Sequence, residues 1–168
     1  MGRYRPPTKP GSQYITSEGN QALQDELDYL WKKLRPEVTR AVTAAAAEGD
    51  RSENAEYIYR KKQLREIDSR VRFLRKRLDG MIVVNKIPDD VESVYFGAWV
   101  DLEDTNGEKL HLRIVGPDEI DPKLSYISMD SPMGQALLGK HLDDEVSVKS
   151  PDGEKQYIIV NIYYTDAK

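Results

Sequence analysis

Hydrophobic residues in the first half of the chain recur at the spacing of an α-helix. One stripe, with steps of 4, 3, 4, 4 and 4, consists of Leu23, Leu27, Leu30, Leu34, Val38 and Val42. A second, with steps of 3, 4, 3 and 4, consists of Leu64, Ile67, Val71, Leu74 and Leu78. Such steps place apolar side chains on one helical face, and the second stripe has the a/d spacing of a coiled coil. The pattern therefore predicts two long helices packed together.

Polar and special residues around the stripes indicate where the helices begin and end. Thr16 or Ser17 is a suitable N-cap for the first helix, and Gly49 is suited to end it. Pro36 lies inside the first stripe, where the missing backbone donor predicts a kink. Because the connection has only a few residues, the helices must run antiparallel. The sequence EGDRSEN at 48–54 then forms the tip of a hairpin.

After residue 80 the pattern changes to short β-rich runs, which occupy 81–84, 94–102, 109–115, 125–129, 145–149 and 156–164. Two hairpin-turn signals lie between them, Asn106-Gly107 and Asp152-Gly153. Ser131 as N-cap and Pro132 at the first helical position predict a short helix over 132–141. The fold class is therefore α+β: an antiparallel two-helix coiled coil followed by a small, mostly antiparallel sheet with one helix.

We expect three segments along the chain. Residues 1–13 are basic and rich in Pro and Gly, so they are unsuited to a core and predict a flexible tail. Residues 14–80 form the coiled-coil hairpin, and residues 81–168 form the sheet domain.

Composition excludes several kinds of site. The chain has no cysteine, which excludes disulfides, thiol catalysis and cysteine-ligated zinc. Its two histidines, His111 and His141, are 30 positions apart, which disfavours a histidine-rich metal site. No apolar run approaches the ~18 residues of a membrane-spanning helix, and the N-terminus lacks the apolar core of a signal peptide. We therefore expect a cytoplasmic protein without a membrane partner.

The net charge of −4 conceals a division between the two halves. Residues 1–79 carry 17 Lys and Arg against 12 Asp and Glu, whereas residues 80–168 carry 8 against 17. Different charges suggest different partners for the two parts. The basic part can attract the phosphates of nucleic acid, although a basic run on a coiled coil is also typical of a solvated face.

Two acids at the tip, Asp50 and Glu53, admit two interpretations. Asp50 as N-cap and Glu53 three residues later would form a capping box, although Ser52 can serve as the cap equally well. Alternatively, positions i and i+3 share a helical face, so both carboxylates can point at one cation. Mg²⁺ prefers six oxygen ligands, and two carboxylates are too few to hold it alone. The second interpretation therefore predicts an accessory factor that shares a metal with another macromolecule.

Seven segments carry a resemblance to a known family. They read YITSEG at 14–19, LDYLWKKLRPEVT at 27–39, GDRSENAEY at 49–57, RKKQLREIDSRVRFL at 60–74, YFGAWVDLED at 95–104, RIVGPDEI at 113–120 and YISMDSPMGQALLGK at 126–140. In these segments the chain resembles the bacterial Gre transcript cleavage factors, the GreA/GreB family, and GreB more than GreA. The resemblance implies an N-terminal coiled coil and an FKBP-like C-terminal domain.

The resemblance also implies a function. The coiled coil would enter the secondary channel of bacterial RNA polymerase, where Asp50 and Glu53 would help to hold a catalytic Mg²⁺ shared with the polymerase. The free protein would bind no Mg²⁺ stably. The polymerase itself would then cleave the 3′ end of backtracked RNA, so the protein would be an accessory factor and not an enzyme. We expect it to be a monomer whose partners are the polymerase and the nascent RNA 3′ end.

Three further groups of candidate residues follow. Ser52, Asn54 and Tyr57 would support the tip, or serve only as cap and packing residues. Arg60, Lys61, Lys62 and Arg65 would bind the RNA. The turn Asp130-Ser131-Pro132 would contact the polymerase, or simply begin the short helix.

Two rival functions remain open at this level. One is a Gre-like secondary-channel regulator or inhibitor that does not stimulate cleavage; such a factor should have altered tip acids, and Asp50 and Glu53 are intact. The other is a coiled-coil chaperone or scaffold.

Overall fold

The computed structural model describes residues 9–165, which form two compact units. The helical hairpin comprises residues 18–81, and the sheet unit combines residues 9–17 with residues 82–165. No helix within 9–165 is long and apolar enough to cross a membrane.

The helical hairpin is built from α1 (Ser17–Tyr29), a π-helical segment (Leu30–Leu34), α2 (Arg35–Ala46) and α3 (Ala55–Asp79). Its core confirms both predicted stripes. Val38, Ile67 and Val71 are buried, and packed against them are the partly buried side chains of Leu27, Leu30, Leu34, Val42 and Leu64. The apolar face of each helix therefore covers that of the other, as the spacing predicts.

Ion pairs fix how the two arms of the hairpin align. Arg70 donates from Nε and Nη2 to the two carboxylate oxygens of Glu26, at 2.7 and 2.9 Å. This bond lowers the pKa of Glu26. Arg35 donates from Nε to Asp68 at 2.7 Å. Glu26 on the first arm pairs with Arg70, and Arg35, further along that arm, pairs with the earlier residue Asp68 of α3. The helices therefore run antiparallel, as predicted.

An irregular turn of helix precedes Pro36. The segment Leu30–Leu34 is π-helical, and the backbone N–H of Arg35 donates to the carbonyl of Leu30, five residues earlier. The π-helix is rare and occurs mostly as a single-turn bulge inside an α-helix. Proline disturbs a helix because it removes one N–H and its ring crowds the preceding turn. The irregularity therefore lies where Pro36 predicts one.

The sheet unit contains a five-stranded sheet with the order β5-β4-β3-β7-β6. Its strands are β3 (Trp99–Asp104), β4 (Lys109–Val115), β5 (Tyr126–Ser128), β6 (Glu145–Ser150) and β7 (Gly153–Tyr163). All neighbouring pairs are antiparallel except β4 and β5, which are parallel. One face of the sheet packs on the short helix α4 (Pro132–Leu137), whose Leu137 is fully buried. The α+β prediction is confirmed.

Two strands lie outside this sheet. β1 (Tyr14–Thr16) pairs in parallel with β2 (Ile82–Val84). The sequence predicts β2 at 81–84 but gives no sign of β1, whose residues we assigned to the start of the hairpin. The flexible-tail prediction for 1–13 falls partly on residues 1–8, which lie outside the described residues; Ser12 and Gln13, by contrast, are hydrogen-bonded to the sheet unit.

Other element boundaries also differ from those predicted. The strand expected at 94–102 begins only at Trp99, because residues 95–98 form a turn in which Gly97 has φ +86°. Left-handed backbone of this kind favours glycine. The helix expected over 132–141 ends at Leu137, because Leu138 takes a non-helical ψ of 129°.

Candidate functional site

The tip of the hairpin is the loop 47–54, which connects α2 to α3. It reverses the chain over eight residues, with Gly49 at φ +138°, a conformation that other residues rarely adopt. Asp50, Ser52 and Glu53 are all exposed. The backbone N–H of Glu53 donates to the carbonyl of Asp50 at 3.4 Å, so the two acids belong to one turn.

Asn54 caps α3. Its side-chain oxygen accepts from the backbone N–H of Tyr57 at 3.1 Å, and its amide nitrogen donates to the carbonyl of Ala45 at 2.7 Å. One side chain thus satisfies an unpaired donor at the start of α3 and an acceptor at the end of α2. The capping-box interpretation of Asp50 and Glu53 is therefore wrong, and so is Ser52 as the cap.

Asp50 has a different local partner. Its Oδ1 accepts from the backbone N–H and from the hydroxyl of Ser52, both at 2.9 Å. These bonds lower the pKa of Asp50, because they stabilise the charged carboxylate. Ser52 therefore orients the Asp50 carboxylate through one of its oxygens, and the Asp50 side chain remains exposed.

Two basic side chains lie close to the ring of Tyr57, next to the tip loop. The guanidinium of Arg51 lies 5.8 Å from its ring centroid, and the ammonium of Lys61 lies 5.3 Å away. The Lys61 hydrogen bond is the main cause that lowers the pKa of Tyr57, with smaller contributions from the charges of Lys61 and Arg51. Sequence reasoning missed Arg51, although its position between the two acids was a usable signal.

The four basic candidates on α3 separate into two environments. Arg60 is half-buried, and its guanidinium is bonded to Glu56 at 2.7 Å and to Gln63 at 3.1 Å. Lys61, Lys62 and Arg65 are exposed, with Lys62 3.9 Å from Glu66. Lys61, Lys62 and Arg65 thus lie on one solvent-facing side of α3. Arg60 is hydrogen-bonded instead to residues of α3 itself.

The exposed basic side of α3 extends beyond the predicted patch. Arg72 and Lys76 are also exposed. The steps from Lys61 to Arg65, from Arg65 to Arg72 and from Arg72 to Lys76 are four, seven and four residues. These steps keep all four on one helical face. Sequence reasoning left Arg72 and Lys76 with the solvated face, although helical phase alone relates them to Lys61 and Arg65.

The turn Asp130-Ser131-Pro132 lies in the sheet unit, between β5 and α4. The Ser131 hydroxyl accepts from the backbone N–H of Gly134 at 3.0 Å, so Ser131 caps α4 as predicted. Pro132 occupies the first turn and is exposed, as is Asp130. Asp130 accepts from the backbone N–H of Ser12 at 2.8 Å and from the Ser12 hydroxyl.

An apolar groove of about 600 Å³ adjoins this turn. Ser131 and Pro132 line it, together with the apolar side chains of Leu110, Leu112, Ile120, Ile127, Met133 and Val148. Ile120 is 56% exposed, which leaves a large apolar side chain at the mouth of the groove. Polar capping atoms and apolar surface therefore lie side by side here.

Asp50 and Glu53 are the candidate metal ligands of the tip. Within residues 9–165, no group of three or more His, Asp or Glu side chains could hold a metal ion. Asp50 and Glu53 offer carboxylate oxygens, which are the ligands that Mg²⁺ prefers, but they supply fewer than its six positions. The donor set fits a shared Mg²⁺ and does not fit a self-contained site.

Comparison with known proteins covers both parts of the chain. The family "Transcription elongation factor, N-terminal" matches residues 13–83, and "Transcription elongation factor, GreA/GreB, C-term" matches residues 88–164.

Individual relatives match over the same span. "Transcription elongation factor GreB" of Pseudomonas aeruginosa is 59% identical over 99% of this chain and 99% of its own length. The protein of that name from Yersinia pestis is 58% identical over 91% and 90%. The solved structure of Gfh1 from Thermus aquaticus is 26% identical and covers 92% of this chain and 99% of its own, with a TM-score of 0.42.

Proposed function

The chain belongs to the GreA/GreB family of transcription elongation factors, and on that basis we propose that it stimulates a bacterial RNA polymerase to cleave the 3′ end of backtracked RNA. The protein is an accessory factor: it supplies charged side chains to an active site that belongs to the polymerase. The hairpin enters the secondary channel, and the sheet unit holds the factor on the enzyme.

The observation that carries this proposal is the state of the two tip acids. Asn54 caps α3, so neither Asp50 nor Glu53 is needed for that role. Both acids are exposed on one turn, and Ser52 holds one oxygen of the Asp50 carboxylate through two hydrogen bonds. Two exposed carboxylates at the end of a helical arm, one of them oriented by Ser52, are suited to act on a partner.

Asp50 and Glu53 would hold Mg²⁺ together with ligands from the polymerase. When bound there, the ion would supply charge stabilisation to the reacting phosphodiester. Ser52 contributes by fixing one oxygen of Asp50, which leaves the other for the ion. Aspartate is ionised at neutral pH, and the Ser52 bonds lower the pKa of Asp50 further.

The hairpin supports the reach that this role requires. α3 has 25 residues, which span roughly 37 Å at the rise of an α-helix. The bidentate Arg70–Glu26 pair and the Arg35–Asp68 pair join the two arms. Arms packed and paired along their length present the tip as a defined unit.

The exposed basic side of α3 is suited to the displaced RNA. Lys61, Lys62 and Arg65 begin within three turns of the tip and face solvent. Phosphate contacts of this kind do not depend on base sequence. Arg60, which is bonded to Glu56 and Gln63, contributes to the helix more than to the RNA.

The sheet unit would provide the docking surface. Asp130 and Pro132 are exposed on either side of the half-buried Ser131, and the turn that they form lies next to the apolar groove. A charged group beside a partly exposed apolar surface is the usual arrangement of a specific protein contact. We assign the polymerase contact to this region.

One assay tests the proposal. Purified polymerase that carries a 3′-labelled transcript is stalled on a template and allowed to backtrack. Mg²⁺ is then added, with and without the protein. We expect faster release of the labelled 3′ fragment in its presence. Tight binding of the protein without faster release would instead identify a secondary-channel regulator and contradict the proposal.

A further inference from the structure

A contact between two distant parts of the sheet unit holds a residue of the proposed docking turn. The backbone N–H of Ser12 donates to Oδ2 of Asp130 at 2.8 Å, and the Ser12 hydroxyl donates to Oδ1. The two residues are 118 positions apart in the chain. Because each carboxylate oxygen receives its own donor, the Asp130 side chain is fixed in one orientation although it is exposed.

The donor, Ser12, is followed in the chain by residues that are hydrogen-bonded to, and buried in, the sheet unit. The carbonyl of Gln13 accepts from the backbone N–H of Ile82 at 2.8 Å. In β1, which follows, Ile15 is fully buried, and the backbone N–H of Thr16 donates to Glu119 at 3.1 Å. Ser12 is therefore one residue from a segment that the sheet unit holds firmly.

The backbone of the docking turn is fixed without Ser12. The backbone N–H of Asp130 donates to the Ser128 hydroxyl at 3.0 Å. The Ser131 hydroxyl donates to the Ser128 carbonyl at 2.6 Å while it caps α4. Because these bonds fix the backbone of the turn, the hydrogen bonds from Ser12 act mainly on the orientation of the Asp130 side chain.

We propose that Ser12 is a positioning residue for the polymerase contact, which presets the Asp130 carboxylate in the orientation that the partner meets. The inference rests on the proposed docking role of the Asp130 turn. A carboxylate has about four acceptor sites, and Ser12 occupies two. The remaining sites suit an N–H donor or a cationic side chain of the partner, which binds without displacing Ser12. Presetting a side chain strengthens binding because the side chain gives up less freedom on association.

The test compares the affinity of full-length variants for RNA polymerase. Without the Ser12 hydroxyl the Asp130 side chain is ordered only on association, and the cost of ordering one side chain predicts that Ser12→Ala weakens binding about 3- to 10-fold. Ser12→Thr, which keeps the hydroxyl, should restore it. Ser147→Ala is the matched control, because the Ser147 hydroxyl also donates to a carboxylate, that of Glu154, on an exposed part of the same unit. It should bind like the wild type.

A double variant separates positioning from general stabilisation. In an Asp130→Ala background, Ser12→Ala should add no further loss. The maximal cleavage rate at saturating Ser12→Ala protein should equal that of the wild type, with only the half-saturating concentration raised. Wild-type or tighter binding by Ser12→Ala would overturn the inference, and so would an equal loss in the Asp130→Ala background. Full affinity of Asp130→Ala itself would overturn the docking contact as well, so the two failures are distinguishable.

Discussion

The residue that decides how the tip works is Asn54. By bonding both to Tyr57 and to the Ala45 carbonyl, it closes the loop without using the acids. The local sequence contains three residues able to cap, Asp50, Ser52 and Asn54, so composition alone cannot choose among them. The choice depends on the bond to Ala45, nine positions away, which sequence reasoning has no means to place.

Removing this cap should destabilise the hairpin. Asn54→Ala loses the N-cap, which predicts a fall of about 1 to 2 kcal/mol in the free energy of unfolding. Asn54→Asp keeps the accepting oxygen but loses the donor to Ala45, so an intermediate loss is expected. The measurement is urea denaturation followed by circular dichroism. Thr43→Ala, which removes an exposed hydroxyl bonded only to the carbonyl one turn earlier, is the control. Equal stability of Asn54→Ala and Thr43→Ala would contradict the capping role.

Asp50 and Ser52 give a prediction about pH. The Ser52 bonds lower the pKa of Asp50 below the ordinary value for aspartate. The Ser52–Asp50 bonds therefore contribute fully to the stability of the fold when the pH is above the ordinary pKa of aspartate. That contribution is lost as the pH falls through the lowered pKa of Asp50. Ser52→Ala removes the hydroxyl but keeps the backbone N–H, so the pKa should rise only partway. NMR titration of the Asp50 carboxyl carbon measures it, with Ser52→Thr as the control. An unchanged pKa in Ser52→Ala would show that the hydroxyl bond is absent in solution.

Among the elements, the helices were the most predictable and β1 the least. Apolar stripes at three- and four-residue steps determine which faces pack, and both stripes contribute buried and partly buried side chains to the hairpin core, as predicted. β1 has only three residues and pairs with β2, 68 positions later. Such a short strand carries no periodicity of its own, so its pairing depends on tertiary structure that the local sequence does not encode.

Helical phase explains the division of the basic residues on α3. Arg60 lies four residues before Leu64 and seven before Ile67, which places it on the side that packs against the other arm. Lys61, Lys62 and Arg65 fall outside that side. The phase was readable from the sequence, whereas the bonds of Arg60 to Glu56 and Gln63 required the structure.

The exposed basic residues should act through RNA phosphates. Changing Lys61, Lys62 and Arg65 together to Ala should weaken binding to backtracked complexes with extruded RNA and flatten the salt dependence. The slope of log affinity against log salt should fall by roughly 0.7 for each phosphate of the single strand that the variant no longer neutralises. The control removes three exposed lysines outside the hairpin: Lys86, Lys109 and Lys155. Equal slopes for the two triple variants would mean that the basic side of α3 is only solvated.

At the scale of the whole molecule, we propose that the two units have different roles. The helical hairpin carries exposed acids and a basic face, and the sheet unit carries the Asp130 turn and the apolar groove. The charge division along the sequence predicted two partners; family membership supports RNA polymerase as one of them, and RNA is the second in our proposal. We therefore assign the chemistry to the tip and the affinity to the sheet unit.

The most direct test of this division replaces the tip acids by their amides. Asp50→Asn and Glu53→Gln keep the size of each side chain, and Asn54 still caps α3. If the acids contribute ~3 kcal/mol through metal and charge, cleavage of backtracked RNA should slow on the order of 100-fold. Higher Mg²⁺ should partly restore it, and both variants should compete with the wild type for polymerase undiminished. Wild-type cleavage by Asp50→Asn at limiting Mg²⁺ would contradict a metal-binding role of the tip.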